Sequence, residues 1–571
     1  MLNGIMNWFR RNIPFVFPHD EQIVEKQGLP AAKSNLNKTY LVDATMPTFV
    51  VEAPIPTTTA LPMTATGEMG GGYALGSSQQ QAAGLKQIVN AALLYMAGKT
   101  PKKITKWAAT SNLLLQARAG RDINAYYDRT GLKFFYFPDG YRKKTVYACD
   151  SRVVVSHEFG HAFLDILRPD LWNVMSDECW AYHEAFADII ALLNNLQYES
   201  IIDAAIKETS DLNKSNILTR FAVDMGIGLY NLTGGKDGEL SNCLRDLTIR
   251  FDYANPSSLP KDGRDDQLIN ESHSFSRVFS GMFYNILIQV ANYYITNEKL
   301  APKAALIKSR DTMASYIINA SMTAPVNPRF YKAVCQEILA FDKKNGGKFQ
   351  TLLFNTFVSW KILDPAIKIL SNITYADVIK NVKSEFDYED HGTIKVLRLG
   401  SKKTIKLSDS HGVLAMSYNP LMEAEIEVAY QSAYYFDENL ILQDVNETSD
   451  TEIIESAMNC INLIQAKNLL GNTDRSQFEL VEGKLLRTKI AACGCNKPNY
   501  CIPGSPEYQK PWKPKNNAGC VKCRNKNCEP RPCNCETPTP PTPPKLGCYT
   551  AVKSCNYSAI TVGSRISRKV C

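Results

Sequence analysis

The chain lacks a long hydrophobic run and a recognisable export signal. No stretch of about 18 consecutive apolar residues occurs, because even the apolar segment 281–295 contains Asn285, Gln289 and Asn292. At the amino terminus the apolar stretch is too short for a secretory signal, and the arginines follow it instead of preceding it. We therefore expect a soluble protein with no membrane span and no signal peptide.

Concentrated positive charge is also missing. The formal net charge of +7 is spread over 571 residues, and Lys and Arg are scattered between acidic side chains. Proteins that bind nucleic acids usually gather basic residues into a patch or stripe. DNA and RNA are consequently not expected as partners.

Cysteine is scarce until the end of the chain. Five of the 16 cysteines precede residue 490 and eleven follow it, in a region with few apolar residues. Such a region needs cross-links in place of a hydrophobic core, and disulfide bonds are the first expectation. Cys520 and Cys523 have zinc-ligand spacing, so a small zinc-binding knot is the alternative. The eleven are Cys493, Cys495, Cys501, Cys520, Cys523, Cys528, Cys533, Cys535, Cys548, Cys555 and Cys571.

Because eleven is an odd number, at least one of these thiols is free, pairs with a cysteine nearer the amino terminus or bridges to another chain. The tail therefore has the chemistry of an anchor to a larger assembly. It favours an extracellular or particle-associated location.

The length and composition of the chain predict more than one hydrophobic core. Four regions of the chain differ in their sequence pattern. The first is an extended low-complexity arm rich in Pro, Thr and Gly. The second begins with a helix and an aromatic hairpin and is then mostly helical. The third alternates like β-strands and ends in a helix, and the fourth combines the cysteines with a stiff Pro/Thr spacer. The regions are residues 1–84, 85–380, 381–470 and 471–571, and together they predict an α+β fold.

One helix of the second region carries an HExxH sequence, formed by His157, Glu158 and His161. Residues four apart lie on one face of a helix, so both imidazoles can reach one tetrahedral Zn²⁺. Glu158 lies one step around the helix, where it can contact a metal-activated water without being a ligand.

A second helix supplies the third ligand. Pro169 ends the first helix, and Ser176 is the predicted N-cap of the next one. If the two helices are antiparallel, Glu184 comes level with His161, and Asp188 lies one turn further on the same face. Asp188 could then accept the free N–H of a ligand histidine.

An HExxH sequence can also occur by chance on a solvated helix face. The Glu184/Asp188 pair favours zinc over that alternative, as does the clustering of three of the seven histidines between residues 157 and 183. His183 is expected in a supporting position or at the surface.

These motifs resemble the thermolysin-like gluzincins, in which HExxH is followed by a helix with an E-A-x-x-D element, here Glu184 to Asp188. The resemblance covers about residues 85–370 and implies a two-lobed catalytic domain. Its amino-terminal lobe is expected to be β-rich and its carboxyl-terminal lobe mainly helical. The small β-containing domain and the cysteine-rich tail would follow.

Further residues match the family's substrate-binding elements. The resemblance implies that Asn124, Ala125 and Tyr126 form an edge strand that pairs with the substrate backbone. It also implies that Arg245 hydrogen-bonds a substrate carbonyl and that His273 stabilises the transition state. Taken alone, these residues could equally be an ordinary hairpin, a surface salt bridge and a packing histidine.

The chain departs from the family pattern at three positions. His183 stands where the family usually has Asn, and Ala187 where it has Ser. Leu268 replaces the carboxylate that orients the family's transition-state histidine. The candidate substitutes for that carboxylate are Asp265, Asp266 and Glu271.

The expected function is zinc-dependent hydrolysis of internal peptide bonds in polypeptide substrates by a metal-activated water, with Glu158 as general base. Calcium is a second ion that the resemblance allows, although no residue pattern marks a site for it. One alternative is an inactive scaffold of the same kind with a structural or adhesive role through its tail. Another is an aminopeptidase, which shares HExxH and a downstream glutamate.

Overall fold

A computed structural model describes most of the chain between residues 48 and 491. The described residues are 48–51, 78–234, 240–264, 266–365, 373–380, 382, 386–390, 392–400, 402–409, 420–471 and 476–491. The eleven cysteines after residue 490, the Pro/Thr spacer and most of the amino-terminal arm lie outside these ranges.

Eleven helices occur in the described part of the chain. They are α1 (Ser78–Ala97), α2 (Arg152–Leu167), α3 (Asp177–Asn195), α4 (Glu199–Glu208), α5 (Val223–Thr233), α6 (Ser272–Glu298), α7 (Pro302–Thr323), α8 (Phe330–Lys344), α9 (Gln350–Ser359), α10 (Tyr375–Lys380) and α11 (Asp450–Ala466).

The strands are short. They are β1 (Thr48–Val51), β2 (Asn112–Gln116), β3 (Ala125–Tyr127), β4 (Gly131–Phe134), β5 (Tyr136–Asp139), β6 (Lys144–Tyr147), β7 (Arg220–Phe221), β8 (Arg245–Asp246), β9 (Phe386–Asp390), β10 (Ile394–Leu399), β11 (Lys403–Lys406), β12 (Glu425–Val428), β13 (Ser432–Asp437), β14 (Leu442–Asn446), β15 (Phe478–Val481), β16 (Lys484–Arg487) and β17 (Ile490–Ala491).

The described residues form a mixture of helix and sheet, which is compatible with the predicted α+β class. A five-stranded sheet with the order β1-β2-β4-β3-β17 packs beside α1 and α2. The helices α2, α3, α6, α7 and α8 pack against one another. One large apolar core extends from α1 to residue 363 and also includes Ala429 and Ile490. Apolar residues recur at helical spacing in this region, and α2 and α3 are buried on nearly all sides.

Two smaller sheets follow the helices, whereas the sequence suggested one small β-containing domain. One sheet has the order β14-β13-β10-β9 and the other the order β11-β12-β16-β15. The consecutive strands β12 and β13 belong to different sheets. The second sheet packs with α11 on a separate apolar cluster that includes Met175 and Trp180.

The boundary predicted at residue 471 is displaced. Residues 478–487 form the hairpin β15–β16, and residues 490–491 form β17, which pairs with β3 in the first sheet. Ile490 belongs to the main core. The cysteine content predicts a tail over residues 471–571, but these residues fold with the body.

The amino-terminal arm also contributes ordered elements. The strand-like sequence TFVV forms β1, which pairs in parallel with β2. Helix α1 begins at Ser78, upstream of the predicted boundary at residue 84. No helix in the described ranges is both long and apolar enough to cross a membrane.

Candidate metal centre

The two central helices are antiparallel. His157 of α2 contacts Asp188 of α3, and His161, one turn later in α2, contacts Glu184, one turn earlier in α3. The two backbones are close, because a Cβ on Gly160 would lie 2.6 Å from Cα of Ala187. The predicted N-cap Ser176 accepts a hydrogen bond from the N–H of Cys179, so α3 begins where the sequence places it.

Three side chains of these helices converge. Nε2 of His157 and Nε2 of His161 are 3.1 Å apart. Oε2 of Glu184 lies 3.3 Å from the first nitrogen and 3.6 Å from the second. All three residues are buried. Among the described residues, they form the one cluster of His, Cys, Asp or Glu side chains whose ligand atoms are close enough to share a metal ion.

This group could hold a metal ion. Ligand atoms about 2.0–2.1 Å from a tetrahedral ion are roughly 3.3–3.4 Å from one another, which is close to the three separations observed. Two imidazoles and one carboxylate also suit a borderline ion such as Zn²⁺. The residues present therefore fit the expected ion.

Glu158 lies beside this group and is fully buried. Neither of its carboxylate oxygens has a hydrogen-bond partner among the described residues. Burial raises the pKa of Glu158 well above its usual range, the nearby Glu184 carboxylate raises it further, and Arg245 opposes the increase. A buried carboxylate without protein partners is costly, so its position indicates a partner that is not a protein group.

Asp188 makes the contact expected of a residue that supports a ligand. Its Oδ1 lies 2.9 Å from Nδ1 of His157 and 2.7 Å from Nη2 of Arg245. Burial alone would raise the pKa of Asp188, but Arg245 and His157 hold it below the usual value. The bond at Nδ1 leaves Nε2 of His157 as the nitrogen that faces the metal group.

Arg245 is thus part of the interior of the site. Its partner Asp188 is completely buried, so the alternative of a surface salt bridge does not describe this pair. The arginine lies on β8, which pairs with β7 and approaches α3 from the side of Asp188.

His273 lies beside the metal group, with its Nε2 3.4 Å from Oε2 of Glu184. Its Nδ1 lies 2.6 Å from Oε1 of Glu271, and its Nε2 lies 2.6 Å from the carbonyl oxygen of Ala491. Both partners are acceptors, so both ring nitrogens donate and the ring is an imidazolium. Burial alone would lower the pKa of His273, but the carboxylates of Glu184 and Glu271 raise it to about 10.

Of the three candidate substitutes for the carboxylate missing at Leu268, the structure places Glu271 on His273. Asp266 instead pairs with exposed Arg264. Asp265 lies outside the described residues. Burial would raise the pKa of Glu271, whereas the imidazolium of His273 lowers it to about 2, so this carboxylate stays ionised.

His183 is buried, which excludes the surface position considered for it. Its ring centroid lies 5.8 Å from that of His161. Burial lowers the pKa of His183 well below its usual value, with smaller effects from Arg487 and Arg129. It is therefore a neutral neighbour of the metal group.

The strand that contains Ala125 and Tyr126 packs against α2. Its position is held by Tyr127, whose hydroxyl donates to Asp165 of α2 at 2.8 Å. Oδ1 of Asn124 is buried without a hydrogen-bond partner among the described residues. The strand is not a free edge, however, because β17 pairs with it antiparallel.

Two residues near the site were not found from the sequence. Arg487 is buried, and burial lowers its pKa to about 10. Ala491 brings its carbonyl oxygen to His273. Both lie in the region predicted as the tail. The alternating sequence around Glu482 and Gly483 has the pattern of a hairpin and is the signal that indicates a folded segment there.

No known protein family model matches the chain, and no curated protein resembles it closely enough in sequence to be matched.

Proposed function

We propose that the protein is a zinc-dependent endopeptidase of the thermolysin-like kind. The observation that carries the proposal is the convergence of His157, His161 and Glu184 beside the unpartnered carboxylate of Glu158. On this proposal, the five-stranded sheet with α1 and α2 corresponds to the β-rich lobe. The helices from α3 to α9 correspond to the mainly helical lobe.

His157, His161 and Glu184 would hold the zinc ion. When bound, zinc lowers the pKa of a water molecule and polarises a substrate carbonyl. Asp188 keeps the proton of His157 on Nδ1, so that Nε2 remains available as a ligand.

Glu158 is the general base in this proposal. It accepts a proton from the attacking water and later delivers it to the departing amine. The positive charge of a bound dication would oppose the effect of burial on the Glu158 pKa and favour the carboxylate form that a base requires.

His273 is the electrostatic stabiliser. As an imidazolium it can donate from Nε2 to the oxygen on which negative charge develops, while Glu271 holds the ring through Nδ1. The occupation of Nε2 by a backbone carbonyl in the structure supports this role, because a carbonyl oxygen is the atom that the proposed reaction would place there.

The direct test combines metal analysis with cleavage of an extended peptide blocked at its amino terminus. We expect one zinc ion per chain and cleavage that a chelator abolishes and added zinc restores. Glu158→Gln should retain zinc and lose at least about 10²-fold in turnover. Undiminished cleavage by that variant would refute the assignment.

The same assay separates the alternatives. An aminopeptidase would cut the unblocked peptide but not the blocked one. An inactive scaffold would bind zinc and cut neither. The expected result is internal cleavage of both peptides.

A further inference from the structure

The last described strand occupies the position expected for a substrate. β17 pairs antiparallel with β3, with Ile490 opposite Tyr127 and Ala491 opposite Tyr126. Ile490 and Ala491 are both buried. Addition of an extended segment to a strand edge is a common way for proteins to bind peptides.

The Ala491 carbonyl lies inside the proposed catalytic machinery. Its oxygen is 2.6 Å from Nε2 of His273, and that nitrogen is 3.4 Å from Oε2 of Glu184. Two short contacts therefore connect this backbone carbonyl with a metal-ligating atom.

The residues before β17 hold the segment in place. The carbonyl oxygen of Arg487 accepts a hydrogen bond from Nε1 of Trp172 at 2.7 Å. The backbone N–H of Arg487 donates to Oδ1 of Asn173 at 3.1 Å. The Lys489 ammonium lies 4.6 Å from the ring centroid of Tyr126. These contacts fix the register in which Ala491 reaches His273.

We propose that the protein's own chain is a substrate of this site and that the peptide bond after Ala491 is hydrolysed in cis. The inference rests on the proposed peptidase function and identifies a segment of the same chain as a substrate of that activity. All eleven cysteines that follow residue 490 lie beyond this bond, so cleavage would separate them from the folded body.

The reaction is a hydrolysis without oxidation or reduction. The oxygen of a water molecule bonds to the carbonyl carbon of Ala491, and the bond from that carbon to the nitrogen of Ala492 breaks. Glu158 passes a proton from the water to the leaving nitrogen. The products are a carboxylate at Ala491 and a protonated amino terminus at Ala492, which also takes up the second proton of the water.

The test starts from the full-length chain prepared without metal. Zinc is added, the sample is reduced to separate any disulfide-linked pieces, and intact masses are followed with time. We expect fragments 1–491 and 492–571 to appear at a rate that does not change on tenfold dilution. Glu158→Gln should remain intact, also when mixed with the wild-type chain.

A blocked peptide added to the same reaction separates two kinds of failure. If the peptide is cleaved while the chain never breaks after Ala491, the inference is overturned and the proposed function stands. If zinc binds but neither is cleaved, the proposed function fails and the inference fails with it. Cleavage that slows on dilution or cuts Glu158→Gln overturns the cis assignment.

A second measurement does not depend on activity. Hydrogen exchange of β3 in metal-free full-length protein should quicken by about tenfold or more when Ile490→Asp releases β17, while α2 stays protected. Leu480→Asp is the matched control, because Leu480 is an exposed apolar residue on β15. We expect no change of β3 in the control.

A general loss of protection in α2 would reveal that Ile490→Asp unfolds the body. In that case Ala491→Pro provides a second variant. Proline at this position removes an N–H from the strand and restricts its backbone. Unchanged exchange of β3 in a folded variant would overturn the proposal that β17 occupies the substrate edge.

Discussion

Glu271 holds His273 by a 2.6 Å contact between its Oε1 and the ring Nδ1. The same carboxylate caps helix α6, because its Oε2 accepts a hydrogen bond from the N–H of Ser274. Glu271, only two positions before His273 in the sequence, thus supplies a negative charge beside the ring. The helix cap and the orientation of the imidazolium depend on one side chain.

Replacing this carboxylate should change the pH dependence of the proposed activity. Glu271→Gln removes a negative charge that raises the pKa of His273, so this pKa should fall. The proposed role requires the imidazolium form, so activity is lost as the pH rises through the pKa of His273. In the variant this loss should occur about one pH unit or more below its position in the wild type. The measurement is kcat/KM for a blocked peptide against pH. Asp266→Asn, which alters an exposed ion pair with Arg264, should leave the alkaline limb in place.

The spacing of the two central helices should set the metal affinity. Gly160→Ala would place a methyl group against the backbone of Ala187, at a Cβ–Cα distance of 2.6 Å before relaxation. We expect a loss of about 1–3 kcal/mol in the free energy of unfolding and weaker zinc binding, since α2 and α3 must separate. Denaturant titration and zinc competition measure the two effects. Gly140→Ala is the control, because its Cβ would meet no atom within 4 Å; equal effects of both variants would contradict the prediction.

Asp188 should influence the metal without contacting it. Asp188→Asn keeps an acceptor near His157 but removes the charge that both His157 and Arg245 face. The zinc dissociation constant should rise by about 10–100-fold. Asp252→Asn, at a more exposed ion pair with Arg250, serves as the control in the same titration. An unchanged dissociation constant for the Asp188 variant would show that this contact does not orient the ligand.

Glu178 should make the stability of the metal-free protein fall as the pH rises. Burial raises the pKa of Glu178 from 4.5 to about 8, although Tyr253 and the N–H of Tyr331 donate hydrogen bonds to it. Between these two values the folded state holds a proton that the unfolded state has released. The contribution of this group is therefore fully present below about pH 4.5 and is lost as the pH rises through about 8.

The change that tests this dependence is Glu178→Gln, which cannot titrate. Its free energy of unfolding should decline less than that of the wild type between about pH 5 and pH 8. This is roughly the range between the unfolded and folded pKa values of Glu178. Urea unfolding at several pH values provides the measurement. Glu479→Gln, on an exposed strand position, should follow the wild-type curve. Parallel curves for all three proteins would rule out Glu178 as the titrating group.

Much of the site follows from local sequence. His157 and His161 share a face because an α-helix repeats every 3.6 residues, and Ser176 begins α3 because its side chain caps an N–H three residues later. A short link between two helices makes them antiparallel neighbours, which brings Glu184 and Asp188 to the two histidines. These relationships depend on helix geometry and on few intervening residues.

Only the tertiary structure decided the rest. Whether Asp266 or Glu271 would face His273 depended on where the loop before α6 turns, and no periodic pattern specifies that turn. The pairing of Ala491 with Tyr126 joins segments more than three hundred positions apart, so neither strand contains the information about its partner. The sequence by itself determined the candidate metal-ligating residues, because local bonds within one helix position His157 and His161 and a short link brings Glu184 beside them. The tertiary structure determined what approaches them, because contacts between distant segments depend on how the whole core packs.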